Sequence, residues 1–199
     1  MQRKRFIQAV LSIAMACVAL LAQQSPISAA SVTPNVTLGP YWIVGLPIPQ
    51  KCINDPNNST VDGTQMIIYH CVLPSTSNEE WYFQEVDLVG GVTYYWIWSG
   101  KSGKCLTVQN ASTANNAPII QYTCNTGGNE EWRVAYVKTV NGLDYYRIIG
   151  RQSGKCITVQ NKSTADGAKL LLYDCNGGDN QHWTWFSPSQ VGLNRLVTS

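Results

Sequence analysis

An all-β fold built from three copies of one disulfide-containing unit is what this sequence predicts, and three observations predict it. Trp81, Trp132 and Trp183 stand 51 residues apart. Cys52/Cys71, Cys105/Cys124 and Cys156/Cys175 are each separated by 19. No segment sustains a helical period, whereas short aromatic and β-branched runs recur between Gly-, Asn- and Pro-containing stretches. Self-similarity at a fixed period is the mark of a repeat architecture. The copies are plain to read: SGKCITVQNKSTADGAKLLLYDCNGGDNQHW at 153–183, SGKCLTVQNASTANNAPIIQYTCNTGGNEEW at 102–132, and a more divergent KCINDPNNSTVDGTQMIIYHCVLPSTSNEEW at 51–81.

The elements follow in order. Residues 1–30 run from a basic head (Arg3, Lys4, Arg5) through an apolar stretch, 6–22, to Ser28-Ala29-Ala30. That pattern is a secretory signal peptide cleaved after Ala30, and it places the protein outside the cell. A membrane anchor is the competing reading, but the apolar stretch is short for a span. A lipoprotein lipidated at Cys17 is another, and Ala14-Met15-Ala16 is a poor approach to such a cysteine. Residues 31–39, with little apolar content, form an exposed leader. The repeat domain covers 40–186, with repeats at about 40–90, 91–141 and 142–186, and a polar tail occupies 187–199.

Each repeat opens with an aromatic and β-branched strand: 41–44, 95–98 and 146–149. A turn leads to the first Cys, which begins a second strand at 105–108 and 156–159. Asp62-Gly63, Asn115-Asn116 and Asp166-Gly167 come next, residue types that accept positive φ and suit tight hairpins. Third strands at 64–69, 118–122 and 168–173 lead to the second Cys. A polar loop then reaches the Trp and a fourth strand, as at 131–137 and 182–186.

A four-stranded unit this small cannot bury both of its faces, so the copies must share a core. Closing three of them about one axis brings the tryptophans together and removes free sheet edges. That is a β-trefoil, preferred over a three-bladed propeller because the strands are few and short. The three tryptophans belong to its core, as large apolar groups at repeat-equivalent positions.

Charge and cysteine usage narrow the function. Without its first 30 residues the chain keeps 11 Lys and Arg against 12 Asp and Glu, a net charge of −1. With no basic cluster, it lacks the electrostatic footprint for nucleic acid or an anionic membrane. The six remaining cysteines, in an oxidising destination, are expected as disulfides rather than metal ligands. Pairing within the repeat closes the shortest loops and is preferred over pairing with the next or previous repeat. Each bridge contributes about 3 kcal/mol by restricting the unfolded chain.

The paired cysteines, the aromatic two residues before each second Cys, the CNGGDNQHW of 175–183 and the threefold repetition resemble the ricin B-type lectin domain, also known as the family-13 carbohydrate-binding module. The resemblance spans about 40–186. It implies a β-trefoil with a disulfide in each repeat and one sugar pocket per repeat, a carbohydrate partner, no catalysis and no cofactor. Its stacking aromatics fall on Tyr69, Tyr122 and Tyr173, and its polar asparagines on Asn78, Asn129 and Asn180. The neighbouring glutamine survives as Gln181, with Glu79 and Glu130 in the other repeats. The family's aspartate, two residues after the first Cys, is replaced by Asn54, Thr107 and Thr158. A neutral side chain gives a sugar hydroxyl a weaker acceptor than a carboxylate does. Ile67, Ile120 and Leu171 stand where galactose-binding members often carry Gln. The third repeat keeps the fullest set, and the first, which lacks SGK and gains two prolines, is expected to be structural.

Plainer readings stand beside these. The tyrosines could cover the disulfides, the asparagines could serve their own turns, and Thr107 and Thr158 are ordinary β-branched strand residues. Asp55 and Asp174 should face away from their pocket-facing neighbours by strand alternation. Glu79-Glu80 and Glu130-Glu131 are strand neighbours with no opposing carboxylate, so no catalytic apparatus is visible. No metal-ligand spacing involves His70 or His182. The expected product is a monomeric, extracellular sugar-binding trefoil; the alternative is a trefoil that grips a protein partner, as an inhibitor or toxin subunit would.

Overall fold

The computed structural model describes residues 36–46, 51–72 and 76–187. The signal peptide, most of the leader and the tail beyond Ser187 lie outside them. Twelve strands follow one another: β1 Thr37–Leu46, β2 Lys51–Asn54, β3 Ile67–His70, β4 Trp81–Val89, β5 Val92–Ser99, β6 Cys105–Val108, β7 Ile119–Tyr122, β8 Glu131–Val140, β9 Leu143–Gly150, β10 Cys156–Val159, β11 Ala168–Tyr173 and β12 His182–Phe186. Each repeat supplies four.

The first and fourth strands of the repeats close on themselves. Antiparallel pairing runs β1–β4–β5–β8–β9–β12 and back to β1, a six-stranded barrel without a free edge. The second and third strands form three hairpins, β2–β3, β6–β7 and β10–β11, set on one end of that barrel. This is the β-trefoil arrangement. β1 begins at Thr37, inside the expected leader, because Thr37 and Leu38 pair with Gln84 and Phe83.

The cap is held by a cyclic exchange that spacing alone does not reveal. The turn residues have positive φ (Gly63 84°, Asn116 69°, Gly167 83°), but they do not close tight hairpins. Each lies in a long connection, and its N–H donates to the next repeat: Gly63 to Gln121, Asn116 to Leu172 and Gly167 to Ile68, at 2.8–2.9 Å. The third strands of the first two repeats are therefore shorter than expected, since residues before Ile67 and Ile119 serve the neighbouring repeat. Side chains reinforce the ring. Asp62 accepts the Thr123 N–H and pairs with Lys104 at 2.7 Å, Asn115 accepts the Asp174 N–H, and Asp166 accepts the His70 N–H and pairs with Lys51.

Trp81, Trp132 and Trp183 are fully buried in one core cluster with Ile43, Ile97 and Ile148 of the barrel and Ile53, Leu106 and Ile157 of the cap. Their indole N–H groups donate to the carbonyls of Ile53, Leu106 and Ile157, which satisfies the one polar atom each ring carries. Gly45 and Gly150 let the rings of Trp183 and Trp132 lie close, since a Cβ there would sit 3.3–3.4 Å from a ring carbon. The disulfides Cys52–Cys71, Cys105–Cys124 and Cys156–Cys175 form within the repeats, with Cα atoms 5.1–5.2 Å apart.

Candidate functional site

Strand alternation decides which side chains of each hairpin can meet a ligand. Directly paired residues share a face. Cys52 pairs with Tyr69 and Asn54 with Ile67, while Ile53 and Ile68 point into the core. The other hairpins repeat this with Thr107, Ile120 and Tyr122, and with Thr158, Leu171 and Tyr173. The tyrosine rings are open: Tyr69 is 37% and Tyr122 44% exposed, and Tyr173 is half-buried. They are not packed beneath other side chains.

The loops before the tryptophans end in short 3-10 turns, Ser77–Glu79, Gly128–Glu130 and Asp179–Gln181. Each turn places two neighbouring side chains against its own hairpin. The asparagines donate through Nδ2 to a strand-end carbonyl: Asn78 to Asp55 at 3.2 Å, Asn129 to Val108 at 3.1 Å and Asn180 to Val159 at 2.9 Å. This is an anchoring bond to the adjoining strand, not to the turn itself. It leaves Oδ1 over, and that of Asn180 has no partner.

The next residue corrects the sequence reading. Gln181, expected as a sugar ligand, is completely buried. Its Oε1 accepts the Asn176 N–H at 2.9 Å, and its Nε2 donates to the Asp174 carbonyl at 2.8 Å and to Thr158 Oγ1 at 2.9 Å. Thr158 in turn donates to the Cys156 carbonyl at 3.0 Å. Both side chains are spent inside the repeat, so neither is placed to hold a sugar. Thr107 is equally committed, with its hydroxyl 3.0 Å from the Cys105 carbonyl and 3.4 Å from Glu130. Glu130 and Glu79 occupy the Gln181 position: they accept the N–H groups of Asn125 (2.7 Å) and Val72 (2.9 Å). Burial pushes both carboxyls above their usual pKa, with those N–H bonds opposing it. The clue in the sequence was an acceptor at this position in all three repeats: it ties the second Cys to the second strand.

Asn54 donates to Glu79 at 3.1 Å yet still borders open space. With Asn57, Ile67, Tyr69, Asn78 and Glu79 it lines a hollow of ≈ 280 Å³. The first repeat, expected to be structural, is thus one that brings its aromatic and two amide side chains around a single depression. Asp174 faces away from the pocket, as alternation requires, and pairs with Lys155. Asp55 is fully buried and accepts the Ser99 hydroxyl at 2.8 Å.

Residues 36–122, 77–169 and 128–198 match the family model described as ricin-type beta-trefoil lectin domain-like. The chain belongs to this family. A designed threefold-symmetric protein, ThreeFoil, is 37% identical with a TM-score of 0.63, over 74% of this chain and 98% of its own. The exo-beta-1,3-galactanase 1,3Gal43A from Clostridium thermocellum is 31% identical with a TM-score of 0.64, over 78% of this chain but 31% of its own. A lectin of Polyporus squamosus, solved with the epitope Neu5Aca2-6Galb1-4GlcNAc, shares the fold at 18% identity and a TM-score of 0.57, over 78% of this chain and 50% of that one. The ricin-type lectin-like domain accounts for the three repeats, the disulfide in each and the closed barrel, and membership supports carbohydrate binding.

Proposed function

We propose that this ricin-type lectin-like domain is a secreted, non-catalytic carbohydrate-binding protein with up to three shallow sites, one on each hairpin. The observation that carries the reading is the tyrosine-bordered hollow of the first repeat, where Asn54, Tyr69 and Asn78 converge, together with the exposed ring of Tyr122 and the half-exposed ring of Tyr173 at equivalent places. An open ring beside amide groups suits the apolar face and hydroxyl edge of a pyranose. In the second and third repeats the ligand-facing set reduces to Tyr122 with Asn129 and Tyr173 with Asn180. No carboxylate stands two residues after the first Cys, so each site is weak, and a polysaccharide is held by several at once on one rigid body. Export rests on the signal-like residues 1–30, and the near-neutral charge of the remaining chain argues against nucleic acid.

The test is a glycan array followed by titration calorimetry on the best binder, with Tyr69→Ala, Tyr122→Ala and Tyr173→Ala singly and combined. Each single change should weaken binding about tenfold or less, a loss of about 1 kcal/mol, and the triple variant should lose it. Binding that survives the triple change refutes the reading. Absence of binding to any glycan, with a protein retained instead, would favour the protein-gripping alternative.

A further inference from the structure

Two basic side chains and a buried histidine that the three hairpin sites do not use gather against the loop of the third repeat. Arg147 of β9, Lys138 of β8 and His182 of β12 come from three barrel strands. His182 is buried, with Nδ1 3.2 Å from Asp179 and Nε2 without a partner. Lys138 pairs with the same oxygen, Asp179 Oδ1, at 2.8 Å. Arg147 has no ion pair among the described residues, and its buried Nε also lacks a partner. Its guanidinium reaches the Gly-Gly loop: a Cβ on Gly177 would lie 3.6 Å from Nη2. Burial holds the His182 pKa down, with Lys138 and Arg147 adding to this and Asp179 opposing it, so all four groups share one field.

The other repeats lack this arrangement. At the matching places of the second stand Trp96, Glu131 and Asp87, aligned by the strand registers that set Lys138 opposite Tyr145 and Asp87 opposite Tyr94. The charge there is reversed. In the third repeat the loop 176–181 turns one side chain, Asp179, toward the cations and the next, Asn180, onto β10 beside Tyr173's hairpin.

We infer that Arg147 and Lys138, on either strand beside the Asp179 loop, form a subsite for the oxyanion of an acidic glycan, a carboxylate or sulfate carried by a sugar seated at the third repeat, with the buried His182 next to it. The Arg147 guanidinium has no ion pair among the described residues and reaches the Gly-Gly loop, so an oxyanion seated there meets a donor fork that no carboxylate occupies. Arg147 presents the planar fork suited to such a group, and Asp179 balances only part of the positive charge. The inference rests on the carbohydrate reading and refines it from sugars in general to acidic ones.

Two polymer pairs test it, each differing only in charge: dextran against dextran sulfate, and fully methyl-esterified against de-esterified polygalacturonate. Binding is measured for the unaltered chain, for Arg147→Gln, and for Lys138→Gln, whose side chain is exposed enough to spare folding. The charged member of at least one pair should bind about tenfold tighter, the size of a charge-assisted hydrogen bond, and Arg147→Gln should abolish that ratio. Whichever pair shows the preference tells carboxylate from sulfate. Equal binding of charged and neutral members, or a preference that survives both substitutions, overturns the inference and leaves the carbohydrate reading standing. Failure of every polymer to bind would count against the carbohydrate reading, and inorganic sulfate then decides the subsite. With only two histidines in the chain, a sulfate-dependent shift of the His182 imidazole resonance but not that of His70, lost in Arg147→Gln, upholds it; no shift refutes it.

Discussion

Asp55 offers a quantitative test of how the threefold pattern is broken. The equivalent residues are Val108 and Val159, both buried in the core. Asp55 is as buried as they are, with Oδ2 bonded to Ser99 and Oδ1 without a partner. Ser99 is itself the odd member of its set, since Gly45 and Gly150 stand opposite the other two tryptophans. Asp55 and Ser99 thus replace the Val–Gly pair of the other repeats. Desolvation raises the Asp55 pKa from 3.8 to about 6, with the Ser99 bond opposing it. A folded pKa above the unfolded one means a contribution to stability that is full below about pH 4 and is lost as the pH rises through about 6. Two units correspond to about 3 kcal/mol. The double substitution Asp55→Val with Ser99→Gly restores the repeat pattern and removes the titrating group. Urea unfolding at several pH values, with disulfides intact, should show the double variant gaining on the unaltered chain from pH 4 to pH 8 by about 2–3 kcal/mol. Parallel stability curves across that range would refute the reasoning, because an ionisable group with no differential pKa contributes no slope.

Two further outcomes follow from the same geometry. Burial raises the Glu130 pKa, so Glu130→Gln, which keeps an oxygen for the Asn125 N–H as Gln181 does for that of Asn176 but gives up the bond from Asn125 Nδ2, should gain on the unaltered chain in unfolding midpoint as the pH is raised toward 8; Glu130→Ala, which orphans the Asn125 N–H, should cost about 1–3 kcal/mol. The carboxyl of Asp166 is held down at about 2, first by Lys51 and then by His70. Its contribution is therefore present above about pH 4 and disappears as the pH falls toward 2, so Asp166→Asn should lower the midpoint at pH 7 and flatten the acid limb of the stability curve. An acid limb as steep as that of the unaltered chain would show that the clasp between the third and first repeats contributes nothing.

Legibility in the sequence depended on how local the signal was. Second strands at Cys105–Val108 and Cys156–Val159 were readable residue by residue because apolar period and flanking turns lie within a few positions. Third strands of the first two repeats were overestimated because residues 64–66 and 118 bond to a neighbouring repeat more than fifty positions away. Among the site residues, Tyr69, Tyr122 and Tyr173 came from the resemblance, and the hairpins leave their rings at least partly open. Gln181, Thr107 and Thr158 were not recognisable as internal ties, because an amide or hydroxyl reads the same whether it meets a sugar or a buried carbonyl.

By itself, the chain of residues determined the number of repeats, the number of strands in each and the tryptophan core, and favoured one set of cysteine partners, all of which are matters of spacing along one dimension. Tertiary structure alone decided which polar side chains are spent inside, that Asp55 meets Ser99, and that Arg147, Lys138 and His182 gather around one loop. The reason is physical: burial and charge depend on partners brought in from other repeats, and closing the barrel is what sets those distances.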